Sequence, residues 1–163
     1  MENIIIREIK ISEHYILKDL LYEAIYQPDR NNLVPKEIVE LKEIKIYIDN
    51  FGKKKDDYCF VADHNDSIVG AVWVRLLTGE IKGYGNIDNV TPEFAISLFD
   101  NYRNQGLGTA LMNRMIEHLK QKDYKHSSLS VHKDNYAVKL YNRLGFQIIE
   151  EREDDYIMRL TLY

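Results

Sequence analysis

Arg103, Gly106 and Gly108, spaced as in "YRNQGLGTALM", could together hold an anion. They open a stretch where Leu107, Ala110, Leu111, Met115 and Leu119 recur at helical spacing. The first turn of a helix has four backbone N–H groups without a helical partner. The helix dipole adds roughly half a positive charge there, so phosphates bind at such ends. Glycine at 106 and 108 takes side chains off that surface, and Arg103 adds a fork of donors. After a strand, "RNQGLG" therefore reads as a diphosphate cradle. It reads equally as a strand-to-helix turn that uses glycine for backbone freedom. The glycines alone leave both readings open.

Other site chemistries find no support. The Walker pattern G-x-x-x-x-G-K-[ST] is absent, and Leu111 stands where a dinucleotide fingerprint needs its third glycine. His14, His64, His118, His126 and His132 lack metal-ligand spacing, and no metal is expected. Without a G-x-S-x-G elbow, Ser127, Ser128 and Ser130 read as strand residues.

The elements that would position the cradle follow from periodicity and turn residues. Residues 4–9 read as a strand, and Ser12 caps a helix with Glu13 in its first turn and apolar residues from Ile16 to Ile25. Pro28 stops that helix, and Pro35 opens a second through Ile38, Leu41 and Ile48. Two β-rich runs flank His64-Asn65-Asp66-Ser67 as a hairpin. A Gly-rich connection, "TGEIKGYGNIDNVTP", leads to a strand at 93–99. The helix from Gly106, a strand at 127–131, a short helix ended by Gly145 and a final hairpin complete the chain. The order β, α, α, β, β, β, α, β, α, β, β predicts an α/β fold with a mixed sheet.

The chain of 163 residues suits one domain, 1–163. A net charge of −4 argues against an electrostatic nucleic-acid binder and leans weakly toward a cationic partner. No apolar run approaches the ~18 residues of a membrane span, and "MENIIIREIKIS" is too charged for a signal peptide. The lone Cys59, in "YCFVA", reads as buried core in a reducing cytoplasm.

Two stretches taken together resemble the GNAT superfamily of N-acetyltransferases. Arg103, Gly106 and Gly108 match its R/Q-x-x-G-x-G/A signature. Asn135, Ala137, Leu140, Tyr141, Gly145 and Phe146 in "NYAVKLYNRLGF" match its N-x-x-A-x-x-L-Y-x-x-x-G-F pattern, one strand later. The resemblance implies a mixed, mostly antiparallel sheet with splayed fourth and fifth strands and about four helices. It implies acetyl-CoA as co-substrate, with its pantetheine arm between strands 93–99 and 127–131. Leu98 and Phe99 would meet that arm. The amides of Arg103, Asn104, Gln105, Gly106, Leu107, Gly108, Thr109 and Ala110 would hold the pyrophosphate, and Asn135 would contact the cofactor near the thioester.

Acetyl transfer to an amine needs a base for the amine, a donor for the developing oxyanion and an acid for the leaving thiolate. The resemblance puts Tyr141 in the acid's place and Glu93 in the base's, directly or through water, with backbone donors of the fourth strand on the carbonyl. Read without it, Tyr141 is a core tyrosine on an apolar stripe and Glu93 an exposed strand-end carboxylate. The first two helices and the 78–92 loop, with Glu80, Tyr84 and Asp88, would line the acceptor pocket, and Tyr26 and Trp73 read as either pocket or core. The acceptor would be a small cationic amine, an amino acid or a peptide N-terminus. A homodimer stays open. The competing class is a non-catalytic acyl-CoA-binding regulatory module.

Overall fold

The computed structural model describes residues 2–163. Seven strands, β1 (Ile4–Glu8), β2 (Tyr58–His64), β3 (Ser67–Arg75), β4 (Glu93–Leu98), β5 (His126–His132), β6 (Gln147–Glu151) and β7 (Asp155–Thr161), form one sheet. Its order is β1-β2-β3-β4-β5-β7-β6. All neighbours are antiparallel except β4 and β5. The β2–β3 hairpin turns on Asn65 and Asp66, at φ 52 and 67, the left-handed conformation that a two-residue hairpin loop demands.

The helices are α1 (Leu17–Ala24), α2 (Lys42–Lys45), α3 (Leu107–Gln121) and α4 (Ala137–Leu144). Strand side chains alternate between faces, so β2 feeds two cores. Phe60 and Ala62 join Leu111, Met115 and Leu119 of α3 on one face, and Cys59 and Val61 join Leu17, Leu20 and Trp73 on the other. Cys59 is buried, as its apolar setting suggests. No helix among the described residues is long and apolar enough to cross a membrane.

Three local expectations change. Ser12 caps nothing: a 3-10 helix at Ile11–Ile16 precedes α1, and Glu13 organises it by accepting the Lys10 N–H at 2.8 Å and pairing with Arg7. The second helix is broken, because Leu41 is extended (φ −62, ψ 134) between a 3-10 turn at Lys36–Glu40 and the four-residue α2. The Gly-rich connection carries only the isolated bridge Thr78–Lys82.

Candidate active site

β4 and β5 meet at one register position, Glu93 opposite Ser128, and then diverge. The gap opens a cleft of about 1630 Å³. Phe99 N–H donates to Val69 O on β3 at 3.0 Å. Because a strand alternates direction, the backbone groups of Ile96 and Leu98 point the other way, into the gap. The Leu98 carbonyl accepts from Arg103 Nε at 2.9 Å, leaving its N–H as the edge donor.

At one end of the cleft stands the start of α3, whose N-cap Gly106 has no side-chain cap. The two glycines differ in kind. Gly106 has φ +81 and needs glycine for its backbone, though a Cβ there would meet nothing within 4 Å. Gly108 has no positive φ, and a Cβ on it would stand 3.7 Å from Leu140 and 3.8 Å from Leu98, ordinary contact distances. Folding therefore explains Gly106 and leaves Gly108 unexplained, whereas a ligand lying on the backbone accounts for both. The Ala110 N–H is already given to Gly106 O at 3.1 Å and the Arg103 N–H to Asp100 O at 3.2 Å. The N–H groups without a helical partner are those of Gly106, Leu107, Gly108 and Thr109.

The Arg103 fork is engaged by protein groups. Its Nη2 lies 3.1 Å from Glu23 Oε2 and its Nη1 3.1 Å from Asp100 Oδ1, so its charge is met by protein carboxylates. Leu98, Arg103, Asn104, Gly106, Gly108, Thr109, Asn135 and Tyr141 line the cleft, whereas Phe99, Gln105, Leu107 and Ala110 are not among its lining residues. Phe99 packs in the α1-side core, Leu107 is buried under α3, and Gln105 points out and donates to Asn101 O at 2.8 Å.

Glu93 is not an exposed strand-end carboxylate; it is only 3% exposed. Its Oε2 accepts from the Tyr47 hydroxyl and from Gly85 N–H at 3.1 Å. Its Oε1 is buried without a partner. Burial pushes the carboxyl up to about 7, against the lowering effect of those two donors. That value suits a group that takes a proton near neutral pH.

Tyr141 lines the same cleft from α4 and is 7% exposed. Burial raises its phenol above the ordinary range with no hydrogen bond contributing, so it is a protonated donor without a protein partner among the described residues. Asn135 uses Oδ1 on Ala137 N–H at 2.9 Å, satisfying one orphan amide at the start of α4.

On the remaining wall, Tyr84 lines the cleft. Asp88 is spent on Val90 and Thr91 of its own loop, and Glu80 lies outside the lining. Trp73 is core, with Nε1 donating to Tyr47 O at 3.0 Å. Tyr26 lines the cleft and stacks on His132 at 4.6 Å. Ser127 and Ser128 are strand residues whose hydroxyls close on Pro92 O and Gly85 O, each at 2.7 Å. Sequence reasoning missed Tyr47, which lies in a broken helix with no motif around it. It also missed the role of Gly83 and Gly85, whose only signal was the "GYG" spacing.

An acyl carrier with an amide-bearing arm and a diphosphate fits these residues. The strand edge at Ile96 and Leu98 can pair with the arm. The free amides at 106–109 and the bare surface of Gly108 can take the diphosphate.

Comparison with known proteins agrees. The profile of the Acetyltransferase (GNAT) family matches residues 21–146. A probable N-acetyltransferase of Drosophila melanogaster, san, is 25% identical over 141 residues, covering 77% of this chain and 71% of that protein. The ribosomal-protein-S18-alanine N-acetyltransferase of Escherichia coli superposes with a TM-score of 0.68 at 18% identity, covering 98% of this chain and 94% of its own. The PaiA N-acetyltransferase of Thermoplasma acidophilum, solved in complex with coenzyme A, gives 0.65 at 21% identity over 97% of this chain and 98% of its own. With the splayed strands and the sequence of its α3 turn, the profile match makes this chain a member of the GNAT acetyltransferase family.

Proposed function

We propose that the protein, one domain over residues 1–163, moves the acetyl group of acetyl-CoA to a primary amine, with Glu93 as base and Tyr141 as acid. The observation that carries this reading is the buried carboxyl of Glu93 at the mouth of the splay, with one oxygen held by the Tyr47 hydroxyl and Gly85 N–H and the other without a partner among the described residues. Acetyl-CoA supplies an acyl group already activated as a thioester. The free amides of residues 106–109 hold its diphosphate, and the edge of β4 holds its arm and offers N–H donors to the carbonyl. Glu93 keeps a proton acceptor ready at neutral pH, where an α-amine (pKa about 8) is still mostly ammonium. Tyr141 keeps a proton for the leaving sulfur, because burial holds its phenol neutral.

The cleft wall also favours one acceptor type. Its carboxylates are Glu23, Glu93 and Asp134. Glu23 is paired with Arg103, and the Asp134 side chain is 81% exposed to water. Leu33, Ile44, Tyr22 and Tyr84 supply apolar surface. A monoamine with an apolar body, such as a peptide N-terminus, suits this wall better than a polyamine, which would want a second free carboxylate.

Calorimetric titration with acetyl-CoA, with NADH and ATP as controls, tests the first half. Selective micromolar binding supports the cradle, and equal or absent binding refutes it. CoA-thiol release is then followed with peptide α-amines, arylalkylamines and spermidine. Faster turnover of spermidine than of peptides would overturn the acceptor assignment.

A further inference from the structure

Glu93 lines the cleft, yet both of its carboxyl oxygens are covered. Its Oε1 is shut in against Gly83, where even a Cβ would come within 2.1 Å of it. Its Oε2 is covered by Gly85 N–H and by the Tyr47 hydroxyl. Tyr47 is half-buried and lines the cleft. A phenol oxygen has two lone pairs and one proton. One lone pair takes Tyr84 N–H at 2.8 Å, the proton goes to Glu93, and the second lone pair is left for a donor in the cleft.

Resting on the reading of Glu93 as the base, we propose that Tyr47 is the relay through which the acceptor's proton reaches it. The acceptor's ammonium N–H bond breaks as an O–H bond forms on Tyr47. The original Tyr47 O–H bond breaks as a bond from hydrogen to Glu93 Oε2 forms. Ammonium and carboxylate become amine and carboxylic acid, and Tyr47 ends unchanged.

The surroundings hold this geometry. Trp73 Nε1 fixes the Tyr47 carbonyl, and Arg75 Nη1 fixes those of Ile46 and Asp49 at 2.9 and 2.7 Å. The "GYG" spacing gains a reason: a Cβ on Gly83 would strike Glu93, and one on Gly85 would stand 2.6 Å from the Leu129 backbone. Burial and the adjacent carboxylate hold the Tyr47 phenol well above its ordinary range, so it carries its proton at neutral pH. The charged groups around the pair are Arg152, which acts on Glu93 and donates to Tyr84 O at 2.9 Å, and Glu43 of α2, which acts on Tyr84. Arg75 lies opposite Glu93 in register but turns to Asp57.

The test compares full-length wild type, Tyr47→Phe and Glu93→Gln across pH. CoA release from acetyl-CoA is followed with L-phenylalaninamide as acceptor, and with a peptide α-amine if that amine is not used. At pH 7 both variants should lose about 10²-fold or more in kcat with the acetyl-CoA KM unchanged. Both deficits should shrink above the acceptor's pKa, about 8 for an α-amine, where no proton need be removed. If Glu93→Gln is impaired and recovers at high pH while Tyr47→Phe follows the wild type throughout, the relay is wrong and the base reading stands. A Tyr47→Phe deficit equal at every pH makes Tyr47 structural and also overturns the relay. An unimpaired Glu93→Gln, or a wild type that releases no CoA with any acceptor, overturns the base reading and the relay with it.

Discussion

One methyl group at Gly108 should separate ligand binding from folding. The position has no positive φ, and the added Cβ would find Leu140 and Leu98 at 3.7 and 3.8 Å, contacts that need no adjustment. Alanine in place of glycine in a helix is worth about 0.5–1 kcal/mol, partly through a less free unfolded chain. For a chain of this length that is a rise in Tm of about 1–4 °C. The same methyl would stand over the amides proposed to hold the diphosphate. Losing one or two hydrogen bonds to a charged group, at about 1.5–3 kcal/mol each, weakens acetyl-CoA binding roughly 10- to 10⁴-fold. Gly106→Ala gives the opposite pattern in folding, since φ +81 costs an alanine about 1–2 kcal/mol. Calorimetric Kd and thermal melts on both variants decide the matter. A Gly108→Ala protein that binds acetyl-CoA as tightly as wild type would refute the cradle. One that melts lower would refute the argument from open space.

Three further outcomes follow from the buried groups. Glu93 has a native pKa of about 7 against an ordinary 4.5, so the native state binds the extra proton between these values and stability falls as pH rises through that window. Above it the charged carboxyl costs up to about 3 kcal/mol. Glu93→Gln, neutral throughout, should unfold in more urea than wild type at pH 8 while losing activity, and an unchanged pH slope would sink the assignment. Tyr141→Phe should lower kcat about 10²-fold or more with little change in acetyl-CoA KM and a stability change within about 1 kcal/mol, because its hydroxyl makes no protein hydrogen bond. Steady-state kinetics with an unchanged kcat would remove Tyr141 from the chemistry. Asp57→Ala leaves Arg75 unpaired in a pair whose side chains are 0% and 3% exposed, and should cost about 3–5 kcal/mol in urea unfolding. It should also loosen the carbonyl clamp around Tyr47, so kcat falls further than acetyl-CoA affinity. A loss under 1 kcal/mol would mean that the clamp holds without the pair.

Composition and spacing by themselves determined the element order, the mixed sheet, the hairpin around Asn65 and Asp66, the buried Cys59 and the glycine-led start of α3. Each depends on residues close in sequence, through side-chain alternation, helical periodicity or the φ a turn requires. The two motifs that mark the family are also local, which is why Arg103 to Gly108 and Asn135 to Phe146 could be read in advance. Where distant segments meet the same group, local reading had no access to the partner. The pairing of Arg103 with Glu23 of α1 is one case. The second helix broke at Leu41, which is extended and exposed, while Val39 and Ile44 on either side of it pack into the α1-side core. The environment of Glu93 belongs wholly to tertiary structure. Tyr47, Gly83, Gly85 and Ser128 are brought to it from three separate segments. A carboxyl's proton affinity is set by the water it loses and the donors it gains, and neither is written in the residues beside it.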